Sequence, residues 1–204
     1  FESLPIFLKE LENYDYKKIV ILEHNDNKTI EAAKQFTDVE ILYQTKSGYG
    51  NALIEGINHT NTEYFSIINA DGSMNPIELE KMLKEITNRD FDIVFGSRYM
   101  NNAGSEDDDL ITSVGNFIFS FIGKVFFKLK ISDILYTYVV GKTNHVKNLN
   151  LKSQDFKLCI ELPIKAHRNK YKYTSYPCNE RKRIAGKKKV SPFIDGFRIL
   201  LGMI

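Results

Sequence analysis

The 204-residue sequence contains no tryptophan, two cysteines, four histidines and five prolines. Cys159 and Cys178 have no metal-ligand spacing and form no disulfide framework, so a reducing cytoplasm is the expected compartment. His24, His59, His145 and His167 are scattered, which argues against a zinc site and offers no Ser-His-Asp set. A formal net charge of +2 is too small to argue for a nucleic-acid partner. No charged-then-apolar leader is visible after Phe1, and no apolar run reaches the roughly 20 residues that span a bilayer. Both ends fall in mid-pattern, so a piece of a longer chain is expected.

What is present is an alternation. Leu4, Phe7, Leu8 and Leu11 recur at helical spacing. Strand-like runs then occupy 18–23, 39–43, 64–68 and 91–95, separated by helical patterns over 29–36, 52–57 and 76–87. Strands alternating with helices predict an α/β fold with a mainly parallel sheet and right-handed crossovers. Asn69-Ala70-Asp71-Gly72-Ser73 follows the third strand, and Asn75-Pro76 supplies a cap and a first-position proline for the next helix. A carboxylate is thereby presented at the strand ends, where open α/β sheets bind ligands. Glu23, Lys46 with Gly48 and Gly50, Asp71 and Arg98 all follow strand ends and are expected on one edge. They would supply acidic groups for a metal or ribose, a glycine-rich helix start for phosphate, and an arginine.

After Tyr99 the alternation stops. The run Glu106 to Asp109 reads as a mobile surface loop in preference to a metal site. The phenylalanine-rich stretch 117–130 is too short and too charged to span a membrane. It fits either an interfacial helix, with Lys124, Lys128 and Lys130 toward phosphates, or a buried core helix. The segment 134–140 is of uncertain structure, 155–167 reads as a helix carrying Glu161, and 171–176 alternates as a strand. Arg181, Lys182, Arg183, Lys187, Lys188 and Lys189 form a patch that attracts phosphate, pyrophosphate or lipid headgroups, and an amphipathic helix follows from Pro192.

Taken in order, several segments resemble the family 2 glycosyltransferases. They are Asn69 to Ser73, Pro76, Phe91 to Tyr99, Gly115-Asn116, Ser132-Asp133, Phe156 with Glu161, and Glu180 to Lys189. The likeness is greatest to the dolichol-phosphate mannose synthase group and its polyprenyl-phosphate relatives, and it covers nearly the whole chain. The resemblance implies a single GT-A domain over 1–204, with a nucleotide-sugar half (1–100) and an acceptor half (101–204) that holds an interfacial helix at 116–130. It implies inverting transfer of a sugar from a nucleotide-diphosphate donor, dependent on Mg2+ or Mn2+. The expected acceptor is a polyprenyl phosphate, and the expected place is the inner face of the membrane, held peripherally.

By the same resemblance Asp71 holds the metal, with Asn69 where the family has its other acid. Glu23 or Asp26 would meet the nucleoside, and Lys46 to Asn51 would lie beside the nucleotide. Arg98 would face the acceptor phosphate, while Arg181, Arg183 and Lys188 would close over the pyrophosphate. Three departures stand out: the family's first strand is absent, Asn69 removes a charge, and no basic residue precedes Gly115-Asn116. A sugar-hydroxyl acceptor in cell-surface polysaccharide synthesis would need a carboxylate base, for which Asp133 and Glu161 are the candidates. A non-catalytic nucleotide-sugar-binding module is the remaining alternative.

Overall fold

The structure is a computed structural model that describes residues 1–186. The opening helix α1 (Ser3–Leu11) buries Leu4, Phe7, Leu8 and Leu11, the stripe that the 3.6-residue period dictates. Strands β1 (Lys18–Leu22) and β2 (Val39–Tyr43) pair in parallel across α2 (Asn27–Ala33), whose N-terminus is capped by the Asp26 carboxylate accepting from Thr29 N. Helix α3 (Tyr49–His59) follows β2, with Gly56 backed closely onto the Ile21 side chain of β1.

A second, four-stranded sheet carries the rest of the core. Its strands are β3 (Tyr64–Ile67), β4 (Ile93–Ser97), β6 (Val139–Lys142) and β7 (Tyr173–Pro177), in the spatial order β3-β6-β4-β7. Helix α4 (Pro76–Asn88) joins β3 to β4, and the Asn75 side chain caps it by accepting from Ile77 N. The short strands β5 (Gly104–Ser105) and β8 (Asn179–Glu180) pair in parallel beyond the main sheet. Helices α5 (Leu110–Phe127), α6 (Thr143–Asn148) and α7 (Leu158–Arg168) complete the described chain. The two halves drawn at residue 100 share one sheet, since β6 and β7 pair with β3 and β4.

The sheet is more mixed than the alternation predicts. β4 and β7 are parallel, but β6 runs antiparallel between β3 and β4. The segment before β6 starts at the edge where Asp133 meets Arg98, so the following strand has to run back through the core. The β1–β2 pair is not hydrogen-bonded to the larger sheet. Ile68 packs against the apolar clusters of both and joins them.

The helix predicted over 116–130 is α5. It starts earlier and stops earlier than expected, with the Asp109 side chain capping it and Lys128 closing it in a left-handed conformation. It is neither a core helix nor free on all sides. Only Asn116 and Gly123 are buried, while Leu110, Phe117 and Phe126 are 80%, 70% and 74% exposed. The acidic run before it is not a detached surface loop. Asp107 pairs with Arg183, Asp108 accepts from Tyr99 Oη, and Asp109 caps α5.

Candidate functional site at the sheet edge

The turn after β3 is shaped by its own side chains. Asp71 Oδ1 accepts a hydrogen bond from Ser73 N at 3.0 Å, and Gly72 adopts φ 79°, which a side chain disfavours. A Cβ at Gly72 would lie 2.4 Å from Ile184 Cδ1, so glycine also lets the later chain pack on the turn. The second oxygen of Asp71 faces Arg183 Nη1 at 3.6 Å. Asn69 accepts a hydrogen bond from Tyr49 Oη at 3.4 Å, and that phenol lies 2.8 Å from Thr137 Oγ1. Tyr49 also stacks on Phe156, with ring centroids 4.8 Å apart, and burial pushes its phenol well above the ordinary range. Residues from α3, the β3 turn, the approach to β6 and the approach to α7 therefore converge. Thr137 carried no signal in the sequence, whereas Tyr49 lies within the segment Lys46 to Asn51, where the lysine and the glycines drew the attention.

A basic strap, residues 181–186, lies over this turn. Arg181 N donates to Ser73 O at 2.8 Å, and Ile184 N donates to Asp71 O at 2.7 Å. The Arg181 guanidinium bridges Glu10, at 2.8 and 3.1 Å, and the Gly72 carbonyl, at 2.9 and 3.2 Å. Arg183 grips Asp107 through Nε and Nη2 at 3.1 and 2.7 Å. Two of the three predicted pyrophosphate ligands are thus at the Asp71 turn. Lys188, with the predicted helix from Pro192, lies outside the described residues.

Arg98 does not take the place expected for an acceptor-phosphate ligand. Its side chain is 7% exposed and is held by Asp133 at 2.7 and 3.1 Å and by Glu180 at 3.1 Å, with Asp108 at 3.2 Å. The ring of Tyr136 lies 4.5 Å from its guanidinium carbon. A phosphate would have to displace one of these carboxylates, which would leave it buried and unpaired. Asp133 is likewise no free base. It is 1% exposed and accepts from the Arg98 amide, Nε and Nη2. Burial pushes the Glu180 carboxyl up, and Arg98 and Ser105 draw it partly back.

The second base candidate, Glu161, is also engaged. It accepts from Lys152 N at 2.9 and 3.0 Å and from Ser153 N at 2.7 Å, and pairs with Lys165 at 2.7 Å. Burial pushes its carboxyl up, but Lys165 and these backbone amides outweigh burial and hold it below the ordinary range. Glu161 is a clamp on the loop before α7. That loop explains Gly48 and Gly50, read from sequence as a phosphate cradle. Gly50 N and Asn51 N donate to Gln154 O at 2.9 and 3.3 Å, so a protein carbonyl already fills the helix start. A Cβ on Gly50 would lie 2.1 Å from Ser153 O.

Lys46 is exposed at the end of β2, and its amide donates to Glu55. Glu23 is exposed after β1, and Asp26 is committed to its cap. β3 and β4 both run antiparallel to β6, so the turn that carries Asp71 and the end of β4 at Arg98 lie at the same edge of the larger sheet. The structure gathers Asn69, Asp71, Arg181 and Arg183, and turns Arg98, Asp133, Glu161 and the two glycines to internal contacts.

A divalent cation fits at Asp71 by the chemistry of the donors there. A hard carboxylate oxygen faces a guanidinium, so the place already accommodates positive charge. Among the described residues no group of three or more histidine, cysteine and acidic side chains could hold a metal by itself. Asp71 would therefore rely on the ligand's own oxygens to complete the shell, as is usual for Mg2+ with phosphates.

The family model described as Glycosyl transferase family 2 matches residues 2–149. The chain is 27% identical over 203 residues to an uncharacterized protein of Methanocaldococcus jannaschii, an alignment spanning 97% of this chain and 84% of that one. It is 24% identical over 195 residues to an uncharacterized glycosyltransferase of Mycobacterium tuberculosis, spanning 96% and 87% of the two. Glucosyl-3-phosphoglycerate synthase from Mycobacterium tuberculosis, solved with Mn2+, UDP and phosphoglyceric acid, superposes with a TM-score of 0.68. Identity is 12%, and the match covers 99% of this chain and 72% of that one. At that identity the likeness carries the GT-A fold alone.

Proposed function

This chain belongs to glycosyl transferase family 2, and from that premise we propose that it transfers a sugar from a nucleoside-diphosphate donor to a polyprenyl-type phosphate at a membrane surface. Such a donor is what the solved relative's UDP and the family resemblance both suggest. Asp71 would hold Mg2+ or Mn2+, and transfer would proceed with inversion. A bound divalent cation supplies charge neutralisation to the departing diphosphate. Arg181 and Arg183 stand beside Asp71 to share that charge through hydrogen bonds.

The observation that carries the acceptor reading is the outer face of α5. Leu110, Ile111, Val114, Phe117, Ile118, Phe121, Val125 and Phe126 are all exposed, with Lys124, Lys128 and Lys130 beside them. By length and composition this 18-residue helix, mean hydropathy 1.6, could cross a membrane, which corrects the sequence expectation that no segment is long and apolar enough. Its other face is fastened to the domain. Asn116 Nδ2 donates to Tyr99 Oη at 2.8 Å, and Ser120 Oγ accepts from Ile134 N at 3.1 Å. A helix anchored along one side suits a position in the plane of the headgroups, with lysines toward lipid phosphates. The place proposed is therefore peripheral, on the inner face of the membrane.

A hydroxyl acceptor in cell-surface polysaccharide synthesis is the second reading. It requires a general base, and the two weighed, Asp133 and Glu161, are consumed by internal contacts. A phosphate acceptor is already ionised near neutral pH and needs none. The test is transfer of radiolabelled sugar by the full chain with polyprenyl phosphate in mixed vesicles and Mn2+. Label extracted into organic solvent supports the lipid acceptor, and label confined to water-soluble product contradicts it.

A further inference from the structure

Arg183 stands where positive charge is needed when no ligand is bound. Its Nη1 faces Asp71 Oδ2 at 3.6 Å, while its Nε and Nη2 hold Asp107 at 3.1 and 2.7 Å. The two carboxylates come from distant loops, the turn after β3 and the acidic run before α5. The strap that carries Arg183 is fastened to the same turn by Ile184 N donating to Asp71 O. We propose that Arg183 is an internal counter-ion which keeps the cation site at Asp71 closed to a free metal ion and hands it over only when a diphosphate arrives. The inference rests on the reading of Asp71 as the metal ligand.

The argument is one of charge. A divalent ion on Asp71 would lie within a few ångströms of a guanidinium that stays protonated at any working pH, and the two repel. Metal alone must therefore compete with a resident cation for the same oxygen. A nucleoside diphosphate brings its own negative oxygens, which can bind the metal on one side and a guanidinium on the other. Only Nη1 needs a new partner, because Nε and Nη2 remain on Asp107. The bidentate pair thus acts as a pivot that keeps the guanidinium within reach of the incoming phosphates. Metal and nucleotide should consequently bind as a pair, each weakly by itself.

The experiment uses the full chain and its Arg183→Gln, Arg183→Lys and Asp71→Asn variants. Mn2+ is titrated alone, and then with saturating UDP or GDP, and free Mn2+ is read by electron paramagnetic resonance. Arg183→Gln is expected to bind Mn2+ alone about threefold or more tightly than wild type. The same variant should bind Mn2+ with nucleotide about tenfold more weakly. Arg183→Lys keeps the charge and should leave binding of Mn2+ alone weak. Opposite signs for the two titrations are not expected of a residue that merely supports the fold. Equal or weaker binding of Mn2+ alone by Arg183→Gln overturns the proposal. If Asp71→Asn retains Mn2+ binding with nucleotide, the metal-ligand reading itself fails. If it loses that binding while Arg183→Gln is unchanged toward free Mn2+, only the counter-ion role fails.

Discussion

Arg98 and Asp133 meet fork to fork inside the protein, with Nε to Oδ2 at 2.7 Å and Nη2 to Oδ1 at 3.1 Å. The Arg98 amide adds a third contact to the same carboxylate at 3.2 Å. This pair fastens the end of β4 to the segment before β6, so its first consequence is structural. Asp133→Asn leaves a buried guanidinium short of charge and is expected to lower unfolding stability by about 3 kcal/mol. Urea denaturation measures it. A variant as stable as wild type but dead in transfer would return Asp133 to the role of a base.

Glu161 gives a pH-dependent prediction. Its carboxyl is held below the ordinary value of 4.5 in the folded protein by Lys165 and the amides of Ser153 and Lys152, against the effect of burial. A group lowered on folding contributes stability that is complete above its unfolded pKa and is lost as pH falls through the folded one. Glu161→Gln should therefore be less stable than wild type at pH 7 by about 1–2 kcal/mol. The gap should close as pH drops below 4.5. Denaturant midpoints at a series of pH values measure it, and the pH profile of transfer should not move.

Gly50 tests the loop packed on α3. A methyl group there would meet Ser153 O at 2.1 Å and Asp155 O at 2.7 Å, both backbone atoms that cannot rotate away. Gly50→Ala should push the loop off the helix start and cost about 2 kcal/mol or more. Hydrogen exchange of the Gly50 and Asn51 amides, now held by Gln154 O, should speed up in the same variant.

The outer face of α5 predicts membrane affinity. Phe117 and Phe126 are 70% and 74% exposed, so replacing both with serine should leave folding intact. Flotation with anionic vesicles should fall by about tenfold or more, since two large apolar side chains no longer enter the interface. Unchanged flotation would argue for another occupant of this face.

The parts of this arrangement that were legible in the sequence are those governed by local rules. The stripe of Leu4, Phe7, Leu8 and Leu11, the cap at Asn75-Pro76 and the turn at Asp71 each follow from neighbouring residues. β6 was not legible, because 134–140 is apolar without a period and its partners lie far away in β3 and β4. The acidic run read as a solvated loop because its partners, Arg98 and Arg183, are brought to it only by the fold. Gly48 and Gly50 looked like an anion cradle for the same reason. The carbonyl of Gln154 that occupies the helix start comes from a hundred residues further along. Arg98 and Glu161 carried charges that sequence alone could not tell from free ones.

The central claim is that Asp71 holds the cation that neutralises the departing nucleotide. Steady-state transfer by Asp71→Asn, at saturating Mn2+ and donor, tests it most directly. Loss of an electrostatic ligand at the reacting centre predicts a fall in kcat of about a hundredfold or more, with the fold and its thermal midpoint preserved. Turnover within about twofold of wild type would contradict it.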